Sequence, residues 1–133
     1  MAANWPAELR SALEADVRRV ADRLRALSQA QLGAAAEPYP SRAAGGRAVA
    51  QLLALAAQGV EERSATAEPR WRRVPGLSDL AVGDQVAVTG NDLDAALDEA
   101  GPEETVWAPG TRRTALDVVA EAAEHLAALR RLL

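Results

Sequence analysis

Cysteine, lysine and phenylalanine are absent from this chain of 133 residues, and histidine occurs only once. Without cysteine the chain has no disulfide framework and no thiol nucleophile, which is typical of a protein from a reducing cytoplasm. Without lysine it has no glycine-rich phosphate loop ending in that residue, which argues against nucleotide hydrolysis. Aromatic residues make up only 3% of the chain, so leucine, valine and alanine must build the core.

The net charge of −4 argues against an electrostatic nucleic-acid binder, which would usually carry a basic face. The nearest candidate is the run Arg70-Trp71-Arg72-Arg73. We interpret it as a loop anchored by a buried tryptophan with solvated arginines beside it. No apolar run approaches membrane-spanning length, and the first ten residues lack the layout of a signal peptide. A cytoplasmic protein without nucleic-acid or membrane partners is therefore expected.

Hydrophobic periodicity predicts helices along most of the chain. The first begins near Pro6, which suits a first helical turn, and stops near Gly33. Two prolines and a glycine pair in EPYPSRAAGG predict a loop over about 34–46. A second helix follows from about Arg47 to Glu62, and the last one starts near Thr111 or Thr114 and runs to the C-terminus.

The segment LSDLAVGDQVAVTGNDLDAALDEAG supports two readings. Locally, VGDQVAVTG alternates like a short strand between glycines. Over the longer window the leucines and valines keep helical phase, and Asp79 is placed to cap a helix start. We predict a helix that ends before Gly101-Pro102, with Gly83 and Gly90 marking close packing or a bend.

Four amphipathic helices of similar length predict an all-α four-helix bundle that occupies residues 1–133 as a single domain. The two long loops between helices imply at least one crossover connection. The predicted core consists of Leu13, Val17, Val20, Leu24, Leu52, Leu93, Leu116 and Leu126.

The candidate site is in the last helix, where Glu121 precedes the only histidine, His125, by one turn. This spacing stacks a carboxylate and an imidazole on one face, as two metal ligands require. Apolar residues at helical spacing around His125 predict that the pair points toward the bundle interior. A lone histidine is also compatible with a purely structural role, in which the two side chains hydrogen-bond each other without a metal.

Other catalytic arrangements receive less support from the sequence. No Ser-His-Asp triad is indicated beyond the presence of those residue types. We interpret the acidic pairs as solvated faces or capping charges. These pairs are Glu61-Glu62, Asp92 with Asp94, and Glu103-Glu104.

The order of motifs resembles the DinB-like superfamily of four-helix bundles. GRAVAQLLALAAQGVEER follows a first amphipathic helix, LSDLAVGDQVAVTGNDLDAAL comes next, and VWAPGTRR leads into ALDVVAEAAEHLAALRRLL. The closer likeness, over nearly the whole chain, is to the N-terminal domain of mycothiol-dependent maleylpyruvate isomerase. That resemblance implies a divalent metal, often zinc, bound by a second-helix histidine and a fourth-helix Glu-x-x-x-His pair. It also implies a low-molecular-weight thiol as nucleophile or cosubstrate.

By this resemblance Glu121 and His125 correspond to the fourth-helix pair, whereas the second-helix histidine is replaced by Leu55, close to which the pair is expected to lie. Leucine offers no lone pair, and Gln51 or Gln58, one turn away, would be a poor substitute on zinc. No bound cofactor is therefore expected, although zinc or nickel remains possible if another residue completes the site. A Leu55→His change should restore a three-ligand set.

Two functional hypotheses follow. The first is a diverged relative of thiol-dependent metalloenzymes with an incomplete metal site, which acts on a small-molecule thiol or substrate in the pocket between the second and last helices. Whether it keeps enzymatic activity is left open, because the missing ligand argues against it. The alternative is a non-catalytic helical module for binding or dimerisation, in which one face of the bundle forms a homodimer.

Overall fold

A computed structural model describes residues 4–133, so the first three residues of the predicted domain lie outside it. Residues 4–133 form five helices and one small sheet. Their bounds are α1 Ala7–Ala26, α2 Gln29–Gly33, α3 Arg42–Glu61, α4 Val82–Leu97, β1 Thr105–Ala108, β2 Thr111–Thr114 and α5 Ala115–Leu132, with a 3-10 turn at Asp79–Ala81 before α4. The predicted second, third and last helices correspond to α3, α4 and α5.

The four long helices pack around one core. Helix α1 contacts α4 and α5, and α3 contacts the same two helices from the opposite side. The connections from α1 to α3 and from α4 to α5 therefore join opposite corners, as the expected crossover requires. The fold is mostly helical, but the all-α prediction is wrong in one respect because β1 and β2 form an antiparallel hairpin.

Most of the predicted core is buried. Six of the eight predicted residues are buried, namely Leu13, Val17, Val20, Leu24, Leu93 and Leu126. Leu52 and Leu116 are only partly buried and pack against the edge of the core. The prediction placed these two too deep, because helical phase identifies the inward face but not which residues lie at its border.

Helix α1 ends seven residues before the predicted stop at Gly33. Leu27 is extended, and Ser28 begins the short helix α2 with a capping box. In it the Gln31 backbone N–H donates to Ser28 Oγ, and the Ser28 backbone N–H donates to Gln31 Oε1. The Ser-x-x-Gln pattern satisfies two backbone N–H donors at the start of α2. It therefore favours two separate helices over one continuous helix.

Helix α3 begins at Arg42, five residues before the predicted start, with Ser41 as its N-cap. The glycine pair that predicted a loop lies inside the helix. A Cβ at Gly45 would contact Leu129, and one at Gly46 would contact Val82 and Leu24. The two glycines thus serve close helix packing instead of ending the helix.

The helical reading of residues 82–90 is confirmed. This stretch forms the first half of α4, after the 3-10 turn at Asp79. A Cβ at Gly83 would lie 2.8 Å from the Ala21 carbonyl oxygen, and one at Gly90 would contact Val17. Both glycines therefore mark close packing of α4 against α1, as predicted.

The hairpin occupies residues that were expected to form a loop or the start of the last helix. Ala108 pairs with Thr111 around a two-residue turn, in which Gly110 has φ +76. Proline followed by glycine suits such a turn, because proline fixes its own φ and glycine tolerates a positive one. Helix α5 begins after Thr114, whose hydroxyl accepts from the Asp117 N–H. The start at Thr114 is confirmed and the alternative at Thr111 is wrong.

The hairpin packs against α3 through a close contact at Gly59. A Cβ at Gly59 would overlap the carbonyl oxygen of Trp107 in β1. The Trp107 indole N–H also donates to the Ala65 carbonyl, 3.1 Å away, just after α3. The hairpin is thereby held beside α3 and α5, where it forms one wall of a cavity.

Within residues 4–133, no helix combines the length and apolar content that crossing a membrane requires.

Candidate functional site

A cavity of about 280 Å³ lies between α3, the hairpin and α5. Its lining is mainly apolar, with one charged pair at the α5 side. The lining residues are Leu52, Leu55, Ala56, Trp107, Ala108, Pro109, Thr111, Arg113, Val118 and Glu121. The structure thus brings Leu55 and Glu121 to the same cavity, as the resemblance implied, whereas His125 does not line it. A mainly apolar lining with a few polar groups is typical of small-molecule sites.

A second cavity of about 450 Å³ adjoins the first. It is lined by Gln51, Leu55, Trp71, Arg72, Arg73 and Pro109. Leu55 and Pro109 line both cavities, so the two cavities are neighbours that meet at these side chains, and together they are named the groove. The arginine–tryptophan run noted in the sequence therefore lies at this groove.

Two glutamines of α3 fix the backbone of that run. Gln58 donates to the Arg70 carbonyl and accepts from the Arg72 N–H, at 2.8 Å and 3.0 Å. Gln51 donates to the Arg72 carbonyl and accepts from the Val74 N–H, at 3.1 Å and 2.8 Å. Both ends of each amide are engaged, so the glutamines hold the extended segment 70–74 against α3. Sequence periodicity does not reveal this role.

Glu68 links the run to the hairpin turn. One of its carboxylate oxygens accepts from the Trp71 indole N–H at 2.8 Å, and the other accepts from the Gly110 N–H at 3.0 Å. On the hairpin, the Arg112 guanidinium lies 4.5 Å from the centroid of the Trp107 ring. Both indoles at the groove are thereby anchored. The neighbouring arginines are exposed, as the loop interpretation predicted, but Trp71 is only half-buried and not buried as that interpretation required.

Glu121 forms an ion pair with Arg113 of β2 at the edge of the first cavity. The hydrogen bond from Arg113 is the main reason that the pKa of Glu121 is lowered, and the nearby charge of His125 contributes less. A carboxylate held ionised by a guanidinium is a weak proton acceptor at neutral pH. The pair therefore gives this edge little acid–base capacity. Arg113 was missed at the sequence level because its strand was not predicted.

His125 is exposed, so the prediction that it points into the bundle is wrong. The buried arc of α5 runs through Val118, Ala122 and Leu129, and His125 lies at its border. Within residues 4–133, no hydrogen bond or ion pair joins His125 to Glu121, whose carboxylate binds Arg113 instead. Helical phase placed His125 near the core, but it cannot show whether a neighbouring element covers the side chain.

The residues at the groove do not fit a divalent metal. Leu55 contributes no donor atom, Glu121 is paired with Arg113, and the carbonyl oxygens of Gln51 and Gln58 accept backbone N–H groups. In the described chain, no three His, Asp or Glu side chains lie close enough together to bind a metal ion. A protein zinc site needs at least three such ligands.

The acidic pairs behave as surface and capping groups. Glu61, Asp92 and Glu103 are exposed. Asp94 binds Arg10. The Gly101 N–H donates to Glu104 at 2.6 Å and is the main reason that the pKa of this carboxyl is lowered. None of these carboxylates lines the groove.

Comparison of the chain with protein-family models, curated proteins and solved structures finds no match.

Proposed function

We propose that the chain is a diverged relative of the DinB-like superfamily whose groove binds a small molecule without a resident metal and without catalysis. Four long helices in crossover order, and Leu55 and Glu121 at one cavity between α3 and α5, support the ancestry. Leucine in place of a ligand, together with the Arg113–Glu121 pair, supports the loss of the metal.

The observation that carries the binding function is the position of Leu55. Its side chain lies at the junction of two cavities, in a floor completed by Leu52, Ala56 and Val118. Removing an apolar ligand from water against such a floor contributes roughly 25 cal/mol per Å² of apolar surface buried. Leu55, which stands where the resemblance implies a metal-binding histidine, thus becomes an apolar contact for a bound small molecule.

Calorimetric titration with 2-naphthamide, a neutral apolar probe, tests this function. We expect the wild type to bind the probe and Leu55→Asp to lose most of that affinity, because a carboxylate would be desolvated in the cavity. Leu80→Asp makes the same chemical change at a leucine that is 62% exposed and lies outside the groove, and it should leave binding intact.

Two results would contradict the proposal. One is absence of probe binding by a wild-type protein that melts cooperatively. The other is a stoichiometric content of zinc or nickel in the purified protein, measured by elemental analysis.

A second candidate function is homodimerisation, favoured by exposed apolar side chains before and within α4, two of which, Leu77 and Val88, line one cavity. Leu77, Leu80 and Val88 are 51%, 62% and 59% exposed and are the most exposed large hydrophobic side chains of the described residues. The flanking Asp79 and Asp84 are paired with Arg47 and Arg25. Two copies of this face could therefore meet with less charge repulsion, and clustered exposed apolar side chains often mark interfaces.

Sedimentation equilibrium separates the two functions. Under the dimer hypothesis the wild type is dimeric, Leu80→Asp is monomeric, and Leu55→Asp remains dimeric. A monomeric wild type at high protein concentration would eliminate this candidate and leave the binding function unaffected.

A further inference from the structure

The two halves of the groove differ in charge. In the first cavity, Arg113 and Glu121 neutralise each other and the remaining lining is largely apolar. In the second cavity the charged lining residues are Arg72 and Arg73. The groove therefore has an apolar end and a cationic end, joined at Leu55 and Pro109.

The arginines supply the available polar groups of the second cavity. The amide of Gln51 is engaged at both ends by backbone groups, and the Trp71 indole N–H is engaged by Glu68. Arg73 makes no ion pair or hydrogen bond through its side chain to any residue in the range 4–133. Arg72 is near one carboxylate, Glu61, at 3.7 Å, and its side chain is 70% exposed.

The cationic end is also fixed in place. Four hydrogen bonds from Gln51 and Gln58 hold the backbone of Arg70, Arg72 and Val74 on α3. The flanking Trp71 ring is held by Glu68. Two guanidiniums on a fixed backbone lose less entropy on binding than they would on a free loop. Guanidinium is moreover well suited to carboxylate recognition, because its planar donors match two carboxylate oxygens.

We propose that the ligand of the groove is an organic carboxylate with an aromatic or branched apolar body. Its body lies against Leu55 and the first cavity, and its carboxylate is bound by Arg73 with Arg72. This inference rests on the proposed binding function and specifies its ligand class.

Three probes that share one ring system test the inference by calorimetry. They are 2-naphthoate, neutral 2-naphthamide and cationic 2-naphthylmethylammonium. We expect 2-naphthoate to bind roughly three- to tenfold more tightly than the amide, and the ammonium probe to bind more weakly than the amide. Raising the ionic strength to about 0.5 M should shrink the advantage of 2-naphthoate, because salt screens exposed charges.

Variants that remove a charge test whether Arg72 and Arg73 cause the preference for 2-naphthoate. Arg73→Gln should reduce the preference for 2-naphthoate, and Arg72→Gln with Arg73→Gln should abolish it, with a smaller loss of affinity for 2-naphthamide than for 2-naphthoate. Arg70→Gln is the matched control, since Arg70 belongs to the same segment and carries the same charge but lines neither cavity. These side chains are exposed, so the variants should melt like the wild type.

The outcomes separate this inference from the function on which it rests. Equal affinity for 2-naphthoate and 2-naphthamide would overturn the carboxylate assignment while leaving the binding function standing. An equal loss in Arg70→Gln and Arg73→Gln would overturn it as well, since it would reveal a general charge effect. Failure of all three probes to bind would overturn both proposals.

Discussion

Arg113 of β2 donates a hydrogen bond to Glu121 of α5, and this ion pair ties the hairpin to the last helix at the edge of the groove. The Glu-x-x-x-His spacing suggested that Glu121 and His125 act together, either as two metal ligands or through a hydrogen bond to each other. In the folded chain the Glu121 carboxylate instead forms an ion pair with Arg113, eight residues earlier in the sequence. β2 runs directly into α5, so Arg113 lies close to the first turns of that helix.

The ion pair predicts a pH-dependent stability. Folding lowers the pKa of Glu121, so its contribution is present above the unfolded pKa and is lost as the pH falls through the folded one. The two side chains are 36% and 42% exposed, so Glu121→Gln should cost only about 0.2–1 kcal/mol at pH 7. Urea unfolding should show this difference shrinking as the pH falls below the ordinary glutamate value.

Glu124→Gln is the control for this titration. Glu124 is an exposed residue of the same helix, and its removal should change stability little at any pH. A Glu121→Gln penalty that persisted undiminished in acid would contradict the assigned role of the ion pair.

Gly59→Ala should detach the hairpin from α3. The new methyl group would overlap the Trp107 carbonyl oxygen, and a backbone atom cannot move aside as a flexible side chain can. Overpacking of this kind costs roughly 1–3 kcal/mol, despite the better helix propensity of alanine. Urea unfolding measures the loss, and near-UV circular dichroism should report a changed Trp107 environment.

The matched control is Gly33→Ala, where a Cβ would have no neighbour within 4 Å in the described chain. It should be neutral or stabilise by up to about 1 kcal/mol. If both variants lost the same stability, close contact at Gly59 would not be the cause.

Two leucines that the sequence placed together in the core should respond differently to truncation. Leu24 is 1% exposed, so Leu24→Ala should cost about 2–5 kcal/mol through lost burial and a new cavity. Leu52 is only partly buried and lines an existing cavity, so Leu52→Ala should cost roughly half as much or less. Chemical denaturation measures both, and equal losses would contradict the difference in burial.

Periodicity predicted the four long helices because an inward apolar stripe extends over several turns in each. The stripe of α1, for example, buries Leu13, Val17, Val20 and Leu24 in succession. The ends of the helices depend on tertiary contacts instead. Gly45 and Gly46 look like helix breakers in the sequence, yet Tyr39, Leu129, Val82 and Leu24 fill the space that their missing side chains leave.

The candidate site was predicted only in part. Leu55 and Glu121 share a cavity, as the family resemblance implied. The hairpin escaped prediction because each strand has only four residues, although a Pro-Gly pair between VWA and TRRT was a usable turn signal. Without the hairpin, neither the Arg113 partner of Glu121 nor the wall formed by Trp107 could be anticipated.

Substitution of Leu55 by histidine offers a test of the proposed DinB-like ancestry. If Leu55 occupies the lost ligand position, Leu55→His places an imidazole in the cavity that Glu121 also lines. Arg113 would still compete for the carboxylate, so Leu55→His with Arg113→Gln should respond to zinc more strongly than Leu55→His alone. At a hundredfold excess of zinc over its Kd, binding to the folded state stabilises by about 2.7 kcal/mol. Thermal melts with and without zinc measure that gain, and the wild type should show none.

His125 decides whether the gain reflects a three-ligand site. Its side chain is exposed in the folded chain but lies one turn from Glu121, so it must turn toward the cavity to complete the set. Adding His125→Ala to the double variant should therefore remove most of the zinc-dependent rise in melting temperature. A rise that survived this change would point to a two-ligand surface site. No rise in any variant would show that Leu55 is not the lost ligand position, and the DinB-like alignment of α3 would then have to be abandoned.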